Sequence, residues 1–206
     1  MLLDSKNNRF FTGLLVLWVL FVFPRVTRAE GASPMGVIKS GTDKVLSILR
    51  ESRSGQGLPL RQRENEILNV VSTYFDFELM AKRSMGTTWN QLSAGNRQEF
   101  AYLFKKLLFN TYLDRMAHYH NEPITYDSQQ VNGDLAVVKS HFLTEGGKIP
   151  IDYKMYKEGG HWKVYDVVVQ GVSYDDNYRA QIASILASQS FDSLLTMLRQ
   201  KIERPG

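Results

Sequence analysis

The sequence contains no cysteine, so no disulfide braces the fold and no lipid can be attached through a cysteine behind a leader. An oxidising compartment permits that absence without requiring it. A basic excess is missing too, once the chain's start is set apart. The 25 Lys and Arg stand against 21 Asp and Glu, a formal +4, but Lys6, Arg9, Arg25 and Arg28, with Asp4 as the one acid, fall before Glu30. Residues 30–206 hold 21 basic against 20 acidic residues, a formal +1. Nothing there supports a nucleic-acid patch, which needs Lys and Arg gathered on one face.

Long hydrophobic runs are also absent. Phe10 to Phe23 is apolar apart from Thr12 and Gly13, short of the roughly 20 residues a membrane span needs. With Lys6 and Arg9 ahead of it and Thr27-Arg28-Ala29 behind, it reads as a secretory signal over residues 1–29, cut before Glu30. The same residues fit an uncleaved anchor flanked by Arg25 and Arg28. Residues 30–206 then form a single domain able to bury a sizeable core.

Catalytic signatures are missing as well: no G-x-S-x-G, H-E-x-x-H or P-loop pattern occurs. Of the four histidines, His118 and His120 stand two apart on a helix and point to different sides, and His141 and His161 have no cysteine near them. Neither a metal nor a cofactor is expected. One acid/base pair remains, Asp152 with Asp166, as carboxylates that would line a cone-shaped pocket in a small enzyme. Against it, Asp152 alternates away from the apolar face of its strand, and Asp166 reads more simply as a structural hydrogen-bond acceptor beside Tyr165.

What is present is a change of period near Pro123. Before it the spacing is helical. A first helix carries Val37, Ile38, Val45, Ile48 and Leu49, and a second carries Ile67, Val70, Val71 and Tyr74 at i, i+3, i+4 and i+7. Asp76 is placed to cap a short third helix ending near Gly86. Ser93 opens the longest, with Phe100, Leu103, Phe104, Leu107, Leu108 and Tyr112 as a bulky stripe. After Pro123 four strands are expected, near Ile124–Gln130, Leu135–Thr144, Lys148–Lys157 and Trp162–Val172, joined by Gly-rich hairpin turns. Ile149, Ile151, Tyr153 and Met155 share one face of the third, with Asp152, Lys154 and Tyr156 on the other. Gly171 interrupts the fourth, Asp175, Asp176 and Asn177 offer caps for a helix from Tyr178 to Ser188, and Phe191 to Ile202 completes the chain. Helices at both ends with strands between give an α+β fold.

Three blocks, YFDFELMAKRSMGTTW (Tyr74–Trp89), FAYLFKKLLFNTY (Phe100–Tyr112) and WKVYDVVVQGVSYDDNYR (Trp162–Arg179), resemble in content and order the MlaC, or toluene-tolerance, family of periplasmic phospholipid-binding proteins. The resemblance runs from about Val37 to Lys201. Gln170 and Ile182 depart from it, where an acidic residue and an aromatic are common. The resemblance implies helices wrapping a curved four-stranded antiparallel meander, a nuclear-transport-factor-like cone with a deep apolar pocket. It implies a monomeric, non-enzymatic carrier shuttling glycerophospholipid across the periplasm, between an outer-membrane lipoprotein complex and an inner-membrane ABC transporter with an MCE-domain subunit. A hopanoid-linked, HpnM-like carrier is the alternative. Phe104, Leu108, Tyr112, Ile149, Ile151, Tyr153, Val172 and Tyr178 are the residues expected against lipid, while Asp76, Asp166, Gly171 and Asn177 hold the frame. Lys82, Arg83, Lys105, Lys106 and Arg179 are read either as a docking surface or as solvated helix faces.

Overall fold

The structure is a computed structural model, and the residues it describes are 32–53, 57–117, 123–144 and 146–203. The expected leader, His118 and His120 lie outside them. Helix α1 (Pro34–Arg53) starts on a proline, which suits a first helical position because its missing N–H would have no partner there. The Ser33 hydroxyl accepts from the Gly36 amide at 3.1 Å. Helix α2 (Leu60–Tyr74) follows a breaker at Pro59.

Between α2 and α3 (Phe77–Met85) lie only two residues, and both are tied down. Phe75 donates its amide to Val71 O at 2.9 Å and bridges Val164 in parallel, and the Asp76 amide reaches Val164 O at 2.8 Å. Asp76 then caps α3 as expected, its Oδ1 accepting from the Leu79 amide at 2.8 Å. Gly86, at φ +58°, ends that helix in a conformation glycine adopts without strain. A 3-10 segment (Gly86–Gln91) leads to α4 (Ala94–Ala117).

The second half is one antiparallel sheet in chain order: β1 (Ile124–Asn132), β2 (Leu135–Thr144), β3 (Gly147–Glu158), β4 (His161–Val169) and β5 (Val172–Ser173). Five strands replace the four expected. Gln170 and Gly171 take φ of +51° and +82°, which turns the chain back at once and leaves Val172–Ser173 as a separate short strand on β4. The pairing register shifts at Tyr126/Ser128 and at Lys154/Met155, irregularities that bend and twist a sheet.

Helix α5 (Tyr174–Leu186) starts four residues earlier than the spacing suggested. Ser173, the last extended residue, is the cap, and its Oγ accepts from the Asp176 amide at 3.2 Å. Asp175 and Asp176 therefore sit in the first turn, where acidic groups favour the helix dipole. Helix α6 (Phe191–Glu203) completes the fold.

Burial follows three apolar clusters. Met80, Met85, Trp89, Phe100, Phe104, Leu194 and Leu198 join α3, α4 and α6, with Ile182 of α5. Ile38 of α1 meets Ala136, Val138, Met155, Val164 and Val167 on one face of the sheet. Val45, Leu49 and Ile67 join α1 to α2, with Phe109 of α4 alongside. Among the described residues no helix is long and apolar enough to cross a membrane.

Candidate functional site

The three clusters do not close on one another. Between them lies a cavity of about 460 Å³, within the range of roughly 300–1,000 Å³ usual for small-molecule sites. Its wall draws on nearly every element. Val37, Ile38, Gly41, Thr42, Val45, Leu46 and Leu49 come from α1, and Val71 and Tyr74 from α2. Phe75 links to Phe77 and Met80 of α3, and Leu108, Phe109 and Tyr112 belong to α4. The sheet supplies Ile124, Phe142, Thr144, Ile149, Ile151, Tyr153, Val167 and Val169, and α5 adds Tyr174.

Strand alternation explains the sheet's share. Tyr153 pairs with Val138 and Val167, and Ile151 with Ser140 and Val169, so these side chains share one face. The intervening Asp152 pairs with Lys139 and Val168 and turns away. Among the described residues, none lining the cavity carries a charge. The polar side chains in its lining are those of Thr42, Thr144 and four tyrosines.

The tyrosines differ. Burial pushes the Tyr153 phenol well above the ordinary range. The Ser40 hydroxyl, 3.2 Å from the Tyr74 oxygen, holds that phenol below it, with Lys44 acting in the same direction. Tyr112 and Tyr174 stack at 4.7 Å with planes 18° apart, joining α4 to α5. Gly41 makes room for Tyr74: a Cβ there would meet the ring at 3.0–3.2 Å.

Of the eight residues expected against a ligand, Leu108, Tyr112, Ile149, Ile151 and Tyr153 line the cavity. Phe104, Val172 and Tyr178 do not. Phe104, 1% exposed, fills the core one helical turn before Leu108, and Tyr178 packs edge-on against its ring at 5.2 Å. Val172, 55% exposed, lies past the turn that ends β4. The residues the sequence reading missed are mainly those of α1, together with Phe142, Val167, Val169 and Tyr174. Their signal was present, since Val37, Ile38, Val45 and Leu49 already formed an apolar stripe and Val167 and Val169 alternate with Val168.

Asp152 and Asp166 do not converge on the cavity. Asp166 is fully buried and accepts from Lys154 Nζ at 2.9 Å, Ser173 Oγ at 2.7 Å and the Asp175 amide at 3.1 Å. Those three bonds tie it to β3, β5 and α5 as a frame residue. Asp175, 1% exposed, pairs through Oδ2 with Arg83 Nε, while its Oδ1 is buried without a hydrogen-bond partner among the described residues. Burial raises the Asp175 carboxyl to about 6, with Asp166 adding to the rise and Arg83 opposing it. Of the five basic residues read as a docking surface, Arg83 is thus engaged, and Arg179 Nε donates to Arg83 O at 3.1 Å. Among the described residues Asn177 accepts from Gln181 of its own helix, at 3.2 Å on an exposed face, and ties no two elements together. His141, on β2, pairs with Asp127 at 2.9 Å.

Helices closed over one face of an antiparallel sheet, around an uncharged apolar pocket, define an α+β binding fold for a hydrophobic guest. The chain belongs to the MlaC family, whose model, described as MlaC protein, matches residues 39–200. It is 26% identical to the intermembrane phospholipid transport system binding protein MlaC of Haemophilus influenzae, over 96% of this chain and 95% of that one. To the toluene tolerance protein ttg2D of Pseudomonas putida it is 26% identical, over 87% and 84%. A phospholipid-binding protein of Ralstonia solanacearum, solved in complex with a phospholipid, shares the fold with a TM-score of 0.73 and 24% identity, covering 85% of this chain and 98% of that one.

Proposed function

We propose that this protein is a non-enzymatic carrier that shields the acyl chains of a glycerophospholipid in its central cavity. The observation that carries the reading is a chamber bounded by nine structural elements without one charged side chain among the described residues. Two chains of about 14 methylenes each cost on the order of 20 kcal/mol to expose to water. A shuttle has to cover nearly all of that area, so an apolar, uncharged wall is what the task demands. Leu108, Tyr112, Ile149, Ile151 and Tyr153 are the proposed tail contacts, and the headgroup stays at the mouth. The family and the names of the two curated relatives support phospholipid as cargo.

By the same reading the protein works in the periplasm of a Gram-negative envelope, delivered there by residues 1–29. It hands lipid between an outer-membrane lipoprotein complex and an inner-membrane ABC transporter carrying an MCE-domain subunit. Native mass spectrometry of the protein purified from an envelope fraction, with extraction and identification of what it carries, tests the proposal. Two-chain phospholipid at near one per protein is the expected result. A polycyclic hopanoid would move the assignment to the HpnM-like class, and a protein that arrives empty and takes no lipid from vesicles would overturn it.

A further inference from the structure

The buried charges lie outside the cavity, yet they join two helices that form its wall. Arg83 is on α3, three residues after the wall residue Met80, and Asp175 is on α5, next to the wall residue Tyr174. Their ion pair ties these helices at a point that the carboxylate scarcely shares with solvent. The Arg83 guanidinium also lies 4.8 Å over the Tyr165 ring of β4. Ser173 and the Asp175 amide both bind Asp166, so the first turn of α5 is held from the sheet on one side and from α3 on the other. Tyr174 emerges from this anchored turn to stack on Tyr112.

We propose that Arg83 and Asp175 are positioning residues of the cavity wall: their pair holds α5 against α3, keeps Tyr174 on Tyr112, and so retains the cargo. The proposal rests on the carrier reading. Three features make the tie breakable. Asp175 Oδ1 has no hydrogen-bond partner among the described residues, so burial is only partly compensated. Arg83 is more than a third exposed and can exchange its partner for water. The groups that act on the pair are Asp166 and Tyr165 of β4 and Arg179 of α5, while Lys154 of β3 pairs with Asp166 and Asp176 of α5 with Arg179. Burial and the nearby Asp166 charge both favour a proton on Asp175, against the opposing pull of Arg83 and Arg179.

The consequence is release that quickens in mild acid. For a midpoint near 6, the protonated fraction of Asp175 goes from about 1% at pH 8 to about 90% at pH 5. Global unfolding runs the other way for this group. A carboxyl raised in the folded state contributes stability that is fully present below its unfolded value and is lost as pH rises through about 6. Acid therefore loosens the tie while this group's share of stability grows, and faster release cannot be ascribed to Asp175 unfolding the protein.

The test uses the full mature chain loaded with a fluorescent-acyl phosphatidylethanolamine and measures its transfer to phosphatidylethanolamine–phosphatidylglycerol vesicles between pH 5 and 8. The wild type is expected to transfer more than about tenfold faster at pH 5, in line with the protonated fraction. Asp175→Asn, nearly isosteric and permanently neutral, should be fast and flat across the range. Arg83→Ala should be fast throughout, and Arg83→Lys should recover slow release at pH 8. Independently of any variant, 3-fluorotyrosine at position 174 should titrate with a midpoint near 6 in its ¹⁹F shift. A flat wild-type profile with lipid still bound, an Asp175→Asn profile like the wild type, or a position-174 signal that does not titrate would overturn the proposal and leave the carrier reading intact. A wild type that never loads lipid overturns both.

Discussion

Replacing Ile151 with Glu puts a charge where the wall has none. Ile151 sits in β3 on the cavity face, between Ser140 of β2 and Val169 of β4. Without cargo the new carboxylate shares a chamber of about 460 Å³ with water, so the fold loses at most the burial of one side chain, about 1.5–3 kcal/mol. With cargo the same carboxylate has to shed its water against methylenes, at an effective cost of several kcal/mol. Taking about 3 kcal/mol, retention falls more than a hundredfold. Desolvation favours the neutral acid, so part of the loss should return as pH falls from 8 to 5. The assay is lipid per protein after purification, read by phosphorus analysis and mass spectrometry, with a urea titration to show the protein is folded. Asp152→Lys, one residue along and on the opposite face, is the control and should keep its lipid. An Ile151→Glu protein with wild-type lipid content, or a control that loses as much, would refute the assignment of this face to cargo.

Gly41→Ala crowds the Tyr74 ring, and because that ring borders the cavity it can move inward. The helix gains up to about 1 kcal/mol from alanine while the contact costs about as much, so the urea midpoint should change little as the bound acyl chains become shorter in the mass spectrum. Asp76→Ala removes both the α3 cap and the nearer of two acceptors for the Tyr156 hydroxyl, the other being Glu158 at 3.4 Å, a loss of about 2 kcal/mol in urea unfolding. Asp76→Asn should recover most of it. Phe104→Leu and Leu108→Ala separate core from wall. The first should lower stability by roughly 1–3 kcal/mol with lipid content unchanged, whereas the second should reduce lipid content as well.

The layers were legible because their periods differ sharply. Helical spacing in α1, α2, α4 and α6, and strict alternation from Ile149 to Tyr156, both survive in the structure. The start of α5 was misplaced because Ser173, Asp175, Asp176 and Asn177 are all competent caps, and only the turn at Gln170-Gly171, which ends strand pairing early, selects the first. The cavity was half legible. A stripe on a helix shows that a face is covered but not whether side chains or a guest cover it. Phe104 and Leu108 belong to one stripe, yet one fills the core and the other reaches the chamber. Asp175 looked like a surface cap, and its partner Arg83 stands 92 residues away. Nothing local in sequence links the two.

The separation of charge from cavity also bears on whether the carboxylates of the sheet could act on a bound molecule. Asp152 and Lys154 belong to the face of β3 opposite Ile151 and Tyr153, and Asp166 pairs with Lys154 there. To bring either acid inward, β3 or β4 would have to slip by one residue, which exchanges the whole of that strand's faces at once. Ile151 and Tyr153, or Val167 and Val169, would leave the wall and an unpaired charge would enter it. The register is fixed against such a slip by Lys154 on Asp166, by the Gln170 amide on Pro150 O at 3.0 Å and by the Asp76 amide on Val164 O. The same alternation that keeps charge out of the chamber thus gives the acids their other task. On the far face Asp166 holds Lys154 and the first turn of α5, and Asp175 in that turn reaches Arg83 on the helix that closes the wall.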